Sequence, residues 1–358
     1  MSAMSWIRGF NATVGRLAPD LAASKMHRAF LTPRELPPRD WELPLLAEAE
    51  RVTLRFGLSA LRWGQGPAVL LLHGWEGRPT QFAELIRALV RAGYGVVALD
   101  APAHGRSPGH EANVVLFARA LLEAAGELPP LKAVIGHSLG GASALLATQL
   151  GLRTEALVTI AAPARILGAL RRFAHFVGLP RQARARFVRM VEQSAGMPAA
   201  QLDVERYRLD FPGLVVHAED DPMVPFGEAQ NIHAAWPGSR LLRLERGGHS
   251  KPLGDRQVVE AVLELLGSAD LWDFAANVEG SQRLIGELQP IIEKKDPALM
   301  AEITKQFEAI TASIDKLRTP EGYVSYETVD EATRKSLSAQ IDALSSTLSK
   351  VPAAVLGS

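Results

Sequence analysis

The sequence predicts an α/β chain, with a largely parallel sheet covered by helices and an all-α segment after it. Three observations carry this. From about residue 50 to 267, short apolar runs alternate with longer stretches of helical period, the pattern of strands joined by helical crossovers. One of these runs, Ala133 to Ile135, leads directly into Gly136-His137-Ser138-Leu139-Gly140 and then a helical pattern. Past Gly267 glycine thins out, histidine is gone, and Lys, Glu, Asp, Ser and Ala dominate with helical spacing.

Punctuation by turn residues places the strands. Residues 51–56 and 59–63 read as an opening hairpin, and 68–72, 95–99, 132–135, 156–160, 213–217 and 240–244 as buried strands, because continuous apolar runs suit strands covered on both faces. Apolar residues recur at three-to-four spacing over 82–91, 113–125, 141–150, 227–235 and 257–266, which predicts helices there. Between Ala161 and Asp210 lies more chain than a crossover needs, helical in pattern and broken near Pro180; it reads as a cap inserted over the sheet edge. This cap holds Arg165, Arg171, Arg172, Arg181, Arg184, Arg186 and Arg189, with no acid before Glu192. A cationic lip for acidic or carrier-linked substrates is one reading, and a solvated helix face is the preferred one. Residues 5–30 suit an amphipathic helix, expected to pack on the sheet domain rather than touch a membrane.

In the tail, Leu284, Leu288, Ile291 and Ile292 mark one helix face. Leu299, Ile303, Phe307, Ile310, Ile314 and Leu317 mark a second, and Leu337, Ile341, Leu344 and Leu348 a third. Asp296-Pro297 starts the second of these helices, since proline is tolerated in a first turn. Thr319 to Gly322 separates it from the third.

Composition narrows the function. The chain has 358 residues, enough for about two domains, with 39 Lys and Arg balanced by 39 Asp and Glu. That balance gives no global charge to attract nucleic acid. With no cysteine, disulfides, thiolate metal sites and a cysteine nucleophile are excluded. No run is long enough for a membrane span, and Arg8 and Arg16 interrupt any secretory signal. A cytoplasmic location is therefore expected. The other histidines lack metal-ligand spacing and no phosphate-binding glycine motif occurs, so neither a metal nor a cofactor is expected.

The chemistry-bearing residues follow from the Gly136–Gly140 stretch. A sharp strand-to-helix turn admits only small residues at Gly136 and Gly140 and raises Ser138 at its apex, which reads as a nucleophile elbow. A serine hydroxyl needs a base within reach and a carboxylate to orient that base. In this chain order the carboxylate follows the serine and the histidine comes last. Asp221 lies just past a predicted strand on a turn set by Pro222 and Pro225, and His249 follows Gly247-Gly248 after the last strand. Glu219 and Asp220 adjoin Asp221 and remain the alternatives for the carboxylate. For the oxyanion, the backbone N–H of Leu139 and that of Trp75, in the His73-Gly74-Trp75 loop after the first parallel strand, are the expected donors. His73, Asp100 and His104 read as structural supports of neighbouring loops.

With these residues in hand, residues 50–267 resemble the α/β-hydrolase superfamily, and most closely its bacterial carboxylesterase-like members with a short helical cap. The resemblance implies an eight-stranded, mostly parallel sheet with helices on both faces and the Ser138, Asp221, His249 triad. It does not choose among ester, thioester, lactone and amide. Leu271 to Ser281, Asp296 to Leu299 and Gly322 to Tyr326 resemble the C-terminal helices of imelysin-like periplasmic iron-uptake proteins. Those proteins are exported and are associated with a His-x-x-Glu metal motif, which this histidine-free tail lacks, so metal uptake is not carried over. The expected plan is an N-terminal helical extension over 1–49, a hydrolase domain over 50–267 with its cap at about 162–210, and a helical imelysin-like fragment over 268–358.

The expected activity is cleavage of a small-molecule acyl ester, or thioester, through an acyl-enzyme on Ser138. Two alternatives remain: a binding protein that works through its tail, and a cofactor-free oxygenase or haloperoxidase on the same scaffold. The short tail helices bury little alone and are candidates for self-association.

Overall fold

A computed structural model describes residues 3–319, 322–324 and 326–356. The chain divides into two compact units, Met1–Leu263 and Glu264–Ser358.

The first unit is built on one sheet of eight strands: β1 (Glu50–Thr53), β2 (Ser59–Trp63), β3 (Ala68–Leu72), β4 (Gly95–Leu99), β5 (Leu131–His137), β6 (Ala156–Ile160), β7 (Gly213–Ala218) and β8 (Ser239–Leu244). Their order is β1-β2-β4-β3-β5-β6-β7-β8. β2 is antiparallel to both β1 and β4, and every other pairing is parallel. The central strands are buried on both faces, β3 and β6 throughout, which is why they read as unbroken apolar runs. The hairpin strand expected over 51–56 ends earlier, at Thr53. Leu54 N–H bonds the Leu58 carbonyl at 2.7 Å, closing a turn in which Phe56 takes φ 56° and points to solvent.

Helices cover this sheet. α1 (Ala3–Leu17), α2 (Pro19–Leu31) and α3 (Leu43–Glu48) precede it, and α4 (Ala83–Arg91), α5 (Val114–Ala125) and α6 (Leu139–Gln149) are crossovers. Where one helix was expected over residues 5–30 there are two, because Pro19 cannot donate within a continuing helix and instead starts a new one at its first position. α7 (Ile166–Phe176), α8 (Arg181–Ala195) and two 3₁₀ turns form the cap, and α9 (Gly227–Ala235) joins β7 to β8. Three cap arginines are paired, Arg165 with Glu205, Arg172 with Glu228 and Arg186 with Asp20 of α2. α2 packs along α8, and Phe30 of α2 meets Phe173 and Phe187 with ring centroids 4.7 and 5.5 Å apart.

The second unit is helical, and its first helix, α10 (Arg256–Lys295), begins within the first unit. It does not stop near Leu266 as its period suggested; helical conformation continues through Gly267, a residue that costs a helix only about 1 kcal/mol. α11 (Pro297–Asp315), a short hairpin of β9 (Arg318–Thr319) and β10 (Gly322–Tyr323), α12 (Glu331–Leu348) and α13 (Val351–Leu356) complete it. Asp296 caps α11 by accepting from Leu299 N–H at 3.0 Å. The expected second and third faces do pack inward: Leu299, Ile303, Phe307, Ile310 and Ile314 are buried, as are Leu337 and Leu344. The first face is borne out at Ile292, which is buried, and Leu288, which packs partly buried, and is corrected at its other two positions. Leu271, Val278, Ile285 and Ile292, seven residues apart, are the buried row of α10, while Leu284 and Ile291 are exposed. Both rows repeat every seven residues, so spacing does not separate them and burial against the other helices of this unit does.

This assignment of the row is testable by thermal unfolding. Ile292→Ala should destabilise the second unit by about 2–4 kcal/mol, whereas Leu284→Ala should change it by less than about 0.5 kcal/mol.

Candidate active site

Ser138 stands at the end of β5, where the chain turns into α6. Its backbone takes φ 53° and ψ −121°, a conformation L-residues rarely adopt and that surrounding structure must enforce. Enforcement comes from close backbone approach. A Cβ on Gly136 would stand 2.5 Å from the Gly140 carbonyl oxygen, and one on Gly140 would overlap the Leu72 carbonyl at the end of β3. Ser138 N–H is itself held by the Ile160 carbonyl at 2.8 Å.

The side chains of Ser138, His249 and Asp221 form one hydrogen-bonded chain. His249 Nε2 is 2.9 Å from Ser138 Oγ, and His249 Nδ1 is 2.7 Å from Asp221 Oδ2. A carboxylate can only accept, so Nδ1 carries the proton and Nε2 presents its lone pair to the serine hydroxyl. Burial alone would push the Asp221 carboxyl up. The His217 and His249 side chains and the Val224 N–H outweigh it and hold the group well below the usual carboxylate range.

Three adjacent acids do three different things here. Glu219 pairs outward with Arg243. Asp220 Oδ1 accepts from Gly247 and Gly248 N–H at 2.8 and 2.7 Å, fixing the loop that delivers His249. Asp221 alone reaches the imidazole, while its Oδ1 is anchored by Met223 and Val224 N–H.

The loop after β3 lies against the serine, since a Cβ on Gly74 would come within 2.8 Å of Ser138 Cβ. Trp75 and Leu139 line the same cavity as Ser138 and His249. Neighbours hold this loop from several sides. His73 Nε2 accepts from Ala101 N–H at 3.1 Å and its Nδ1 donates to the Gly74 carbonyl at 2.8 Å. Glu76 N–H donates to His104 Nε2 at 3.0 Å. The Glu76 carboxylate receives a two-pronged contact from Arg34, at 2.8 and 2.7 Å, which holds it below its ordinary range. Asp100 accepts from Ser59, Arg51 and the Arg106 N–H, so His73, His104 and Asp100 all act on loop positions.

Above the serine is a cavity of about 760 Å³. Its walls are mainly apolar: Phe30 from α2, Ile166, Leu170 and Phe173 from α7, Val191 from α8, and Met223 and Val224 beyond β7. Arg34, Arg172 and Glu192 are its charged lining. Sequence reasoning missed Phe30 and Arg34, because a contact made across so much chain leaves no local pattern. It also missed Glu228. This buried carboxylate accepts from Ala164 and Arg165 N–H at the start of α7 and from Arg172, so it ties the cap to α9. The fourth omission is His137, inside the elbow, whose Nε2 donates to the His249 carbonyl at 2.9 Å.

The alpha/beta hydrolase family model matches residues 69–262, and this chain belongs to that family. A second model, imelysin, matches residues 228–351, overlapping the first across β8 and its flanking helices. Among curated proteins the chain is 41% identical over 82 residues to the iron uptake system component EfeO of Yersinia pestis, covering 23% of this chain and 22% of that protein. Its counterpart in Escherichia coli K12 is 39% identical over the same length. The chain thus spans 22% of the length of these curated relatives. Solved structures similar to it include an esterase from Pyrococcus furiosus, at 21% identity and TM-score 0.49 over 66% of this chain and 97% of that one. Another is an esterase from Exiguobacterium antarcticum, at 20% identity and TM-score 0.46 over 60% and 97%.

Two consequences can be measured. Gly140→Ala should disrupt the β3–α6 approach and destabilise the first unit by about 2 kcal/mol or more. Burial keeps His137 and His73 neutral, lowering them from 6.5 to about 4 and about 3. The unfolded chain therefore binds more protons below pH 6.5. The stability these neutral rings contribute is complete above that pH and is lost as pH falls through about 4. In denaturant unfolding these two rings should together contribute about two protons to the slope in that window, and His137→Gln should lower the slope by about one.

Proposed function

We propose that this chain is a serine hydrolase that cleaves a carboxylic ester, or a thioester, through an acyl-enzyme on Ser138. The observation that carries this reading is the continuous hydrogen-bonded chain from Ser138 Oγ through His249 to a buried Asp221, opening into an apolar cavity. His249 Nε2 takes the serine proton as Oγ attacks the acyl carbon, and Asp221 stabilises the imidazolium that results. Negative charge gathers on the former carbonyl oxygen, where the backbone N–H groups of Trp75 and Leu139 are the proposed donors. His249 then protonates the departing alcohol or thiol, and the acyl group stays on Ser138. Water then attacks the acyl carbon as His249 removes its proton, and His249 returns that proton to Ser138 Oγ as the acyl–Oγ bond breaks and the acid leaves. The mainly apolar walls favour an acyl group over a charged one.

Labelling with a fluorophosphonate probe tests the reading. Wild type should label, and Ser138→Ala should abolish labelling. His249→Ala and Asp221→Asn should slow turnover of a model ester by roughly 10³–10⁴-fold or more. Folded wild type that neither labels nor turns over esters would overturn the proposal.

A further inference from the structure

α1 meets the body of the first unit mainly through Asn11, Gly15 and a partly buried Val14. Asn11 is fully buried and donates to the Val177 carbonyl at 2.7 Å, and a Cβ on Gly15 would stand 2.6 Å from Pro180. At about 100° per residue, Trp6, Phe10 and Leu17 fall together on the opposite side of the helix. Trp6 is 68% exposed and Leu17 83%, Phe10 between them is half-buried, and Leu21 in the first turn of α2 is 52% exposed. An amphipathic helix on a globular body normally does the reverse. Single exposed apolar residues are ordinary, but an aligned row that faces away from the core calls for a second apolar environment.

Cations border the row. At about 100° per residue Arg16 lies to one side of it and Arg8 on the Asn11 side, and residues 3–31 as a whole carry Arg8, Arg16, Lys25 and Arg28 against Asp20 alone. Asp20 is itself paired with Arg186. Lys25 Nζ stands 4.6 Å over the Phe10 ring, so cation and aromatic are side by side. The chain as a whole is neutral, which makes this a local concentration of charge.

We propose that this face of α1 docks on an anionic lipid surface, with Trp6, Phe10 and Leu17 entering the boundary between headgroups and acyl chains. Arg16 and Lys25 then lie at the level of the lipid phosphates. At 15 residues the helix is about 22 Å long, too short to span a bilayer and suited to lying in its plane. A second copy of the chain fits less well, because it would bring like charge against like charge. An acidic protein would match the cations but has no evident use for the aligned Trp, Phe and Leu. Phe176, which lines the cavity and is 56% exposed, directly precedes the Val177 that holds α1. Resting on the hydrolase reading above, the substrate is then an acyl ester drawn from that lipid surface.

The test is flotation of the full-length Ser138→Ala chain with vesicles of phosphatidylcholine alone or mixed with phosphatidylglycerol, at low and high salt. Binding should require the anionic lipid and weaken with salt. Trp6→Ser and Leu17→Ser should each reduce it by about tenfold or more, and Arg16→Glu should also reduce it. Placed in the otherwise wild-type chain, these three changes should leave fluorophosphonate labelling intact, which shows that the variants fold. Lack of binding, equal binding to neutral vesicles, or insensitivity to Trp6→Ser and Leu17→Ser would overturn the proposal. So would a dimer, seen by light scattering, that these substitutions dissolve. Because binding is read on a chain without the serine, failure of the hydrolase reading leaves this result standing. Hydrolysis of a vesicle-borne ester by wild type tests the substrate separately.

Discussion

Backbone contact at the turn between β5 and α6 is the constraint on which the rest of the site depends. Ser138 occupies a conformation that costs about 1–3 kcal/mol, and it persists because Gly136, Gly140 and Gly74 let three chain segments come closer than any side chain would allow. The same closeness sets the position of Oγ, the entry of α6 and the path of the loop after β3. A methyl group at any of the three would displace all of them together.

Around that fixed point, the remaining parts are held by charges placed against backbone N–H groups. Asp220 grips the Gly247-Gly248 turn, Asp221 grips its own Met223–Val224 turn, and Glu228 grips the start of the cap. Each uses a carboxylate on or near one element to fix the backbone of a loop. Loops otherwise carry the largest share of a site's motion. Arg34 adds a clamp from the N-terminal arm, gripping Glu76 in the loop that also carries Trp75.

The sheet was legible in the sequence because buried parallel strands must be apolar on both faces, so β3, β4, β6 and β7 stand out against their turns. The elbow was legible because sterics demand glycine at fixed spacing, and Asp221 and His249 because they follow strand ends beside turn residues. Phe30, Arg34, Glu228 and His137 left no such mark. Their partners lie far along the chain, and an ordinary phenylalanine or arginine at a helix end has many uses. In the tail, Leu284 and Ile291 misled the reading because they share the seven-residue spacing of the buried row next to them. Only packing against α11 and α12 distinguishes the rows.

The contact between Asn11 and the Val177 carbonyl joins residues 166 positions apart, and it bears on how the chain reaches its native state. α1 and α2 leave the ribosome long before the cap that receives them exists. During that interval Ala22, Ala23, Phe30 and Leu31, all inward-facing in the finished fold, have nothing to pack against. The contact cannot close until the cap that supplies Val177 has been made and folded. The arm that completes the cavity wall is therefore made before its seat, and its apolar face is exposed to aggregation during that interval.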